Sequence, residues 1–167
     1  MQVGLSVDWS HVLTASIALV IGIVLKTLLD LKLAVFVVKH FSWVPTRWLF
    51  RHREHHLAGQ WEHVWDSGGS EAFEDVRHRH GHPLMKQFGS YCYAEFFARG
   101  KLYYFFGRIS GEHFVGEWAD ARDRLGYFGA FQLRIIDSDK MEGLWIGHSK
   151  TNGEIRSDKS VWTRIKV

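Results

Sequence analysis

The residues of this chain best suited to ligand chemistry lie in one short stretch, from Trp118 to Tyr127 (WADARDRLGY). The two aromatic rings at its ends can stack on flat bases. Arg122 and Arg124 lie between them, and a guanidinium group can contact a phosphate through two hydrogen bonds at once. The stretch therefore suits an anionic ligand that also carries flat rings.

Two further arginines, Arg108 and Arg134, fall on predicted strands and are additional candidates for phosphate contact. A purely structural interpretation is the alternative. In it the loop arginines pair with Asp120 and Asp123 in solvent, and Trp118 belongs to the hydrophobic core. The predicted ligand-binding set is therefore Trp118, Arg122, Arg124, Tyr127, Arg108 and Arg134.

Three histidines, His78, His80 and His82, alternate along the chain, and an extended strand would place them on one face as a zinc site requires. Arg77 and Arg79 stand between them, and the stretch is more typical of a solvated basic loop. We therefore predict no metal site.

Catalytic motifs are lacking in the sequence. Asp137 and Asp139 straddle a predicted turn and are ordinary turn residues. The single cysteine, Cys92, lies in a predicted strand without an activating partner nearby in sequence. The sequence predicts a protein that is not an enzyme and that uses no cofactor.

The elements that must position these residues are short strands. Alternating, aromatic and glycine-rich sequence begins at Gly59 and continues to Val167, with no segment long enough for a crossover helix. Eight sequentially joined strands predict an antiparallel up-and-down β-barrel, whose interior can hold one small ligand. The predicted strands are Gly59–Trp65, Leu84–Gly89, Tyr91–Ala98, Lys101–Ile109, His113–Trp118, Gly126–Ile136, Met141–Ser149 and Glu154–Val167.

Three Gly-x-Trp steps support a small closed barrel: Gly59 to Trp61, Gly116 to Trp118 and Gly143 to Trp145. Glycine allows a strand to bend sharply at a barrel corner. The tryptophan two residues later points to the same face of the strand and is expected to close an end of the barrel.

The N-terminal region is apolar. Trp9 to Leu25 contains no formally charged residue, and Val12 to Leu25 is predicted to span a membrane. Residues 31–50 form a second apolar segment, interrupted by Lys32, Lys39 and Pro45. That segment could be a second span, an interfacial helix or the continuation of one long helix. We predict a membrane-anchoring region over residues 1–56 and a barrel domain over 57–167.

A basic neck follows, with Arg47, Arg51 and Arg53. The positive-inside rule places this neck, and with it the barrel, on the cytoplasmic side. Ala18 and Gly22 have the spacing that lets two membrane helices pack closely, although ordinary lipid-facing residues would look the same.

Four segments of the chain resemble the receptor domain of a known bacterial family: GHPLMKQFGSYCYAEF, GYFGAFQLRI, KMEGLWIGHS and EIRSDKSVWTRI. The family is that of the two-transmembrane, β-strand-rich effectors of cyclic-oligonucleotide-based antiphage signalling systems (CBASS). The resemblance implies an inner-membrane protein whose barrel faces the cytoplasm and binds a cyclic dinucleotide, and not polymeric nucleic acid. It further implies that homo-oligomers then form through the membrane segments, disrupt the bilayer and kill the infected cell.

Two other classes of protein fit the same elements. One is a membrane-tethered, lipocalin-like carrier of a lipid or haem, and the other is a non-catalytic scaffold protein. The inside of the barrel separates them, because a carrier needs an apolar interior whereas a nucleotide receptor needs a wet rim lined by arginines.

Overall fold

The computed structural model describes residues 9–30, 33–44, 55–69, 73–123, 126–148 and 152–166. The chain divides into two compact units, Met1–Phe36 and Val37–Val167. The boundary predicted after residue 56 lies further along the chain, because the last residues of the second helix pack with the barrel unit. The predicted basic neck, including Arg47, Arg51 and Arg53, lies outside the described residues.

Among the described residues before the barrel, two segments are helical: α1 (Trp9–Asp30) and α2 (Leu33–Phe41). Aliphatic residues dominate both of them, and α1 presents large apolar side chains that are half exposed or more, among them Leu13, Ile17 and Leu19. In the part of the chain that the structure describes, no helix has the length and apolarity needed to cross a membrane. The predicted membrane-spanning helices are therefore without structural support.

The barrel unit is built from antiparallel strands, and the tight turns at Gly89, Gly100 and Gly111 use glycine at positive φ. The strands are β1 (Gly59–Trp65), β2 (His80–Gly81), β3 (Leu84–Phe88), β4 (Tyr91–Ala98), β5 (Lys101–Ser110), β6 (His113–Asp120), β7 (Phe128–Ile135), β8 (Lys140–His148) and β9 (Ile155–Arg164). The hairpin between β4 and β5 turns on Arg99 and Gly100, both at positive φ. Two consecutive residues at positive φ match the right-handed twist of the strands that they join.

Pairing between the first and last strands closes the sheet. Residues of β1 from Trp61 to Trp65 lie opposite residues of β9 from Arg164 to Ser160. β2 and β3 both pair with β1 and act as one strand that is interrupted at Pro83, which cannot donate a ladder hydrogen bond. Counted in this way the sheet is an eight-stranded antiparallel closed barrel, and this part of the predicted fold is confirmed.

Inward-facing residues alternate along the strands, and aromatic and aliphatic side chains line the inside of the barrel. At one end the packing is sealed by Trp61 and Trp162, both fully buried. Arg164 lies over the Trp61 ring at 4.6 Å and donates hydrogen bonds to the carbonyls of Ala58 and His56, both at 2.7 Å. We call this the sealed end of the barrel.

The end of α2 packs on the outer wall of the barrel. Val38 is 2% exposed, and Lys39 Nζ lies 2.5 Å from a carboxylate oxygen of Glu95 on β4. The Tyr93 hydroxyl donates to the same carboxylate, and burial raises the pKa of Tyr93 well above its usual value, as does the nearby charge of Glu95. Lys86 Nζ donates to the Lys39 carbonyl at 3.0 Å and so satisfies a carbonyl near the end of the helix.

Candidate functional site

The longer connections of the barrel share one end, opposite the sealed end. Consecutive connections alternate between the two ends because every neighbouring pair of strands is antiparallel. The described residues of the connections after β1 (66–69 and 73–79), β6 (121–123 and 126–127) and β8 (152–154) therefore lie at the same end as the tight β4–β5 turn. The sealed end carries the shorter turns. We call the first the loop-bearing end, and loops at one end of a rigid scaffold are where binding residues concentrate.

Trp118, a predicted ligand-binding residue, lies half-buried inside this end. Its indole N–H donates to the Ile146 carbonyl across the barrel wall at 3.1 Å. Gly129 and Gly147 make room for the ring, since a Cβ at either position would come within 2.6 Å of indole atoms. The indole is thus held in a fixed place, with glycine backbone on one side.

Other aromatic rings surround Trp118. The Tyr103 ring lies 6.2 Å away, and the Trp145 ring lies 6.1 Å away at an interplanar angle of 85°. Trp145 donates its own indole N–H to the Asp66 carbonyl at 3.1 Å, which ties the loop after β1 to the barrel. Phe96 continues the row inward by stacking on Tyr103 at 5.7 Å.

A charged cluster stands beside these rings. Lys101 Nζ lies 5.6 Å above the centre of the Tyr127 ring and 3.7 Å from a carboxylate oxygen of Asp120. The Asp120 side chain also accepts hydrogen bonds from the backbone N–H groups of Arg122 and Asp123, at 3.0 and 3.1 Å. Burial would raise the pKa of Asp120, but these hydrogen bonds and Lys101 outweigh it and leave the pKa below its usual value. Asp120 therefore fixes the start of the β6–β7 loop.

The predicted ligand-binding residues fall into three groups. Trp118, Tyr127 and the exposed Arg122 lie together at the loop-bearing end, whereas Arg124 lies outside the described residues. Arg108 and Arg134 are exposed on the outer wall near the sealed end. They face away from Trp118, because residues facing the interior of β5 and β7 are odd-numbered, such as Phe105 and Phe131. Arg134 also lies 3.6 Å from a Glu112 carboxylate oxygen.

Asp120 and Lys101 are the site residues that sequence reasoning missed. The signal for Asp120 was present, because it shares the inward-facing parity of Phe114 and Trp118 on β6. The predicted structural alternative paired Asp120 with an arginine side chain, but its carboxylate binds the Arg122 backbone and Lys101 instead.

Among the described residues, His63 and Ser160 form a pair of polar side chains that is buried inside the barrel. His63 Nε2 lies 3.0 Å from Ser160 Oγ. Burial lowers the pKa of His63 to about 3, so the imidazole is neutral at physiological pH. His63 also follows the inward parity of Trp61 and Trp65, a signal that the sequence carries.

The alternating histidines do not share a strand face. His78 ends a short 3-10 helix (Val76–His78), whereas His80 lies in β2. Within the described ranges, no group of three or more His, Cys, Asp or Glu side chains is placed to hold a metal ion.

Comparison with known proteins adds no relative to this description. No protein-family model, curated protein or solved structure matches the chain.

Proposed function

We propose that the protein is a receptor whose loop-bearing end binds a cyclic dinucleotide. The observation that carries the proposal is the row of aromatic rings formed by Trp145, Trp118 and Tyr103, with cationic side chains beside it. Each base stacked on an aromatic ring contributes about 1–3 kcal/mol to binding. Trp118 suits this role because its indole is held by the Ile146 carbonyl and needs no ordering on binding.

The cations at this end suit the phosphates. Arg122 is exposed, and Asp120 anchors its backbone, so the guanidinium can reach a phosphate from a fixed base. Lys101 is about half exposed, and its ammonium group lies over the Tyr127 ring and near the Asp120 carboxylate. A phosphate at this position would share Lys101 with Asp120, whose charge is already offset by two backbone N–H groups.

Thermal unfolding of the full chain with a panel of cyclic di- and trinucleotides tests the receptor proposal. One member should bind the folded state, and at 100 times its dissociation constant it should stabilise the protein by about 2.7 kcal/mol. The protein should then melt several degrees higher than without nucleotide. Unchanged melting with every member of the panel would rule out the receptor function.

Substitutions locate the binding end. Arg122→Ala should weaken binding of the nucleotide by about 10- to 100-fold, the loss expected for one charge-assisted hydrogen bond. Arg108→Ala is the matched control, because that arginine is equally exposed but lies on the outer wall, and it should bind like the parent. If Arg108→Ala weakened binding and Arg122→Ala did not, the site would lie on the outer wall.

We further propose that the receptor is held at the bacterial inner membrane by the N-terminal helix, with the barrel on the cytoplasmic side, and that ligand binding drives self-association. The exposed apolar side chains of α1 support this proposal, because lipid or a second helix would cover them. In this proposal the bound nucleotide acts as a signal of phage infection, and the assembled helices disrupt the membrane and kill the cell. Coupling of 1–3 kcal/mol per protomer would shift a weak self-association when several protomers act together.

Gly22→Leu tests the self-association step. A Cβ at Gly22 meets no atom within 4 Å, so a leucine fits the single chain and any effect reports packing between chains. Nucleotide-dependent crosslinking in membranes and toxicity should both be lost, while nucleotide binding is retained. Gly22→Ala keeps a small residue and should behave like the parent. Oligomers of constant size with and without nucleotide would contradict ligand-driven assembly.

A second function, a carrier of an apolar ligand, is favoured by a different observation: the barrel interior is lined by apolar and aromatic side chains. Titration with haem and with a fluorescent fatty acid distinguishes the two functions. A stoichiometric haem absorption band, or a bound fatty acid that nucleotide does not displace, would support the carrier instead of the receptor.

A further inference from the structure

His63 lies in a box of aromatic rings inside the barrel. It stacks on Trp162 at 4.4 Å, and the Trp65 ring lies 4.8 Å away on a tilted plane. The Phe96 and Phe105 rings lie at right angles to the imidazole, with their centres 5.3 and 5.2 Å from its centre. The imidazole is 2% exposed, so any hydrogen bond that it makes must be inside the barrel.

The hydrogen bonds around Ser160 favour one tautomer of His63. Trp162 Nε1 can only donate, and it donates to Ser160 Oγ at 3.2 Å. If the Ser160 hydroxyl donates its proton to His63 Nε2, 3.0 Å away, then Nδ1–H is the one group of this network left unpaired among the described residues. Ser160 Oγ could instead accept from a protonated Nε2, but that arrangement would leave both the hydroxyl proton and Nδ1 unpaired. We therefore assign the proton of His63 to Nδ1.

The Nδ1–H group of His63 has no hydrogen-bond partner within the part of the chain that the structure describes. A buried donor without an acceptor costs about 1–3 kcal/mol, and natural proteins rarely carry one without a role. Phenylalanine at this position would fill a similar volume without that cost. The histidine is thus a donor held ready in an otherwise apolar box.

Trp65 and Phe96 form the side of the box nearest the loop-bearing end, where Phe73 of the loop after β1 packs on Trp65 at 5.9 Å. Trp65 and Phe96 each keep 8% of their surface exposed, whereas Trp162 is fully buried and Phe105 is 3% exposed. Trp65 ends β1, and Phe96 stacks on Tyr103, the neighbour of Trp118. The row of rings at the site therefore leads inward to His63.

We propose that His63 Nδ1–H donates a hydrogen bond to an acceptor atom of a flat heterocycle that enters the barrel past Trp65 and Phe96. This inference rests on the proposed function: the heterocycle is one base of the cyclic dinucleotide. The second base then stays at Trp118, and the phosphates stay near Arg122 and Lys101. Aromatic walls with one donor suit a base, which offers stacking faces and ring-nitrogen or carbonyl acceptors.

Binding by variants of the full chain tests the inference, with the member of the cyclic nucleotide panel that stabilises the parent as the probe. His63→Phe keeps an aromatic ring but removes the donor, and it should bind the probe about tenfold more weakly. His63→Asn places an amide N–H near the position of Nδ1 and should recover most of the affinity. Equal affinity of His63→Phe and the parent would overturn the inference and leave the receptor function standing.

Nitrogen-15 NMR of the parent chain labelled at histidine gives a measurement that does not depend on a variant folding. The free protein should show a neutral His63 protonated at Nδ1, and saturation with the probe should shift the Nδ1–H proton downfield. An unchanged Nδ1–H signal, while other signals of the protein report saturation, would overturn the inference. Failure of every panel member to bind the parent would overturn the receptor function and this inference with it.

Discussion

Lowering the pH from 7 to 5 is expected to reduce the free energy of unfolding of the barrel by about 2 kcal/mol through His63 alone. Burial lowers the pKa of His63 from 6.5 to about 3 in the folded protein. Below pH 6.5 the unfolded chain therefore binds a proton that the folded barrel does not, and stability falls by about 1.4 kcal/mol per pH unit. The loss should reach about 3 kcal/mol at pH 4 and level off near pH 3.

The interval from pH 7 to 5 isolates His63 from the carboxylates. Glu95 and Asp120 have pKa values below their ordinary ones in the folded protein, so their contribution to stability is lost only as the pH falls below about 4.5. The groups described around His63 are Ser160 and aromatic rings, which do not titrate in this range.

Urea unfolding at several pH values measures the effect, with His63→Phe as the control. The variant lacks the titrating group, so its stability should change little between pH 7 and 5 while that of the parent declines. Parallel pH profiles for the two proteins would show that His63 is hydrated or already protonated in the folded state.

Much of the barrel could be predicted because its local signals are complete. The bounds of β1 and β4 match the prediction, since Gly59 begins β1 and the Arg99–Gly100 turn follows β4. A period of two then decides which residues face inward, and Trp61, His63 and Trp65 all do so. These signals are short-range, and antiparallel strands joined in sequence add no further topological choice.

The place of each tryptophan along the barrel axis depends on its position within its strand, which the Gly-x-Trp step does not reveal. Trp61 comes early in β1 and lies at the sealed end, whereas Trp118 and Trp145 come late in β6 and β8 and lie at the other end. The three strands run in the same direction, so the same motif serves two different purposes.

Arginine offered the weakest basis for prediction. Arg108 and Arg134 were grouped with Trp118 by residue type, but they face the outside of the barrel. Arg164, which no prediction singled out, donates hydrogen bonds to three backbone carbonyls of the barrel unit. Its partners come from two segments far apart in the chain, 56–61 and 138–139, and such long-range convergence leaves no local pattern in the sequence.

Arg164→Ala is expected to lower the free energy of unfolding by about 3 kcal/mol, because several interactions end together. Its guanidinium donates to the carbonyls of Ser138, Ala58 and His56 at 2.7 Å each, and it covers the Trp61 ring. Removing it would leave carbonyl groups without their donors and would open the sealed end. Arg164→Lys keeps the charge, but its three donors share one nitrogen and cannot reach three carbonyls as the separate guanidinium nitrogens do, so the loss of stability should be intermediate.

Urea unfolding followed by tryptophan fluorescence measures this effect, with Arg134→Ala as the control. Arg134 is an exposed arginine of the same barrel, and its loss should change stability by less than about 0.5 kcal/mol. Because Arg164 acts at the end opposite Trp118, its variants should bind nucleotide with the affinity of the parent wherever the barrel stays folded. A variant that kept its stability but lost nucleotide binding would place the ligand at the sealed end and contradict entry through the loop-bearing end.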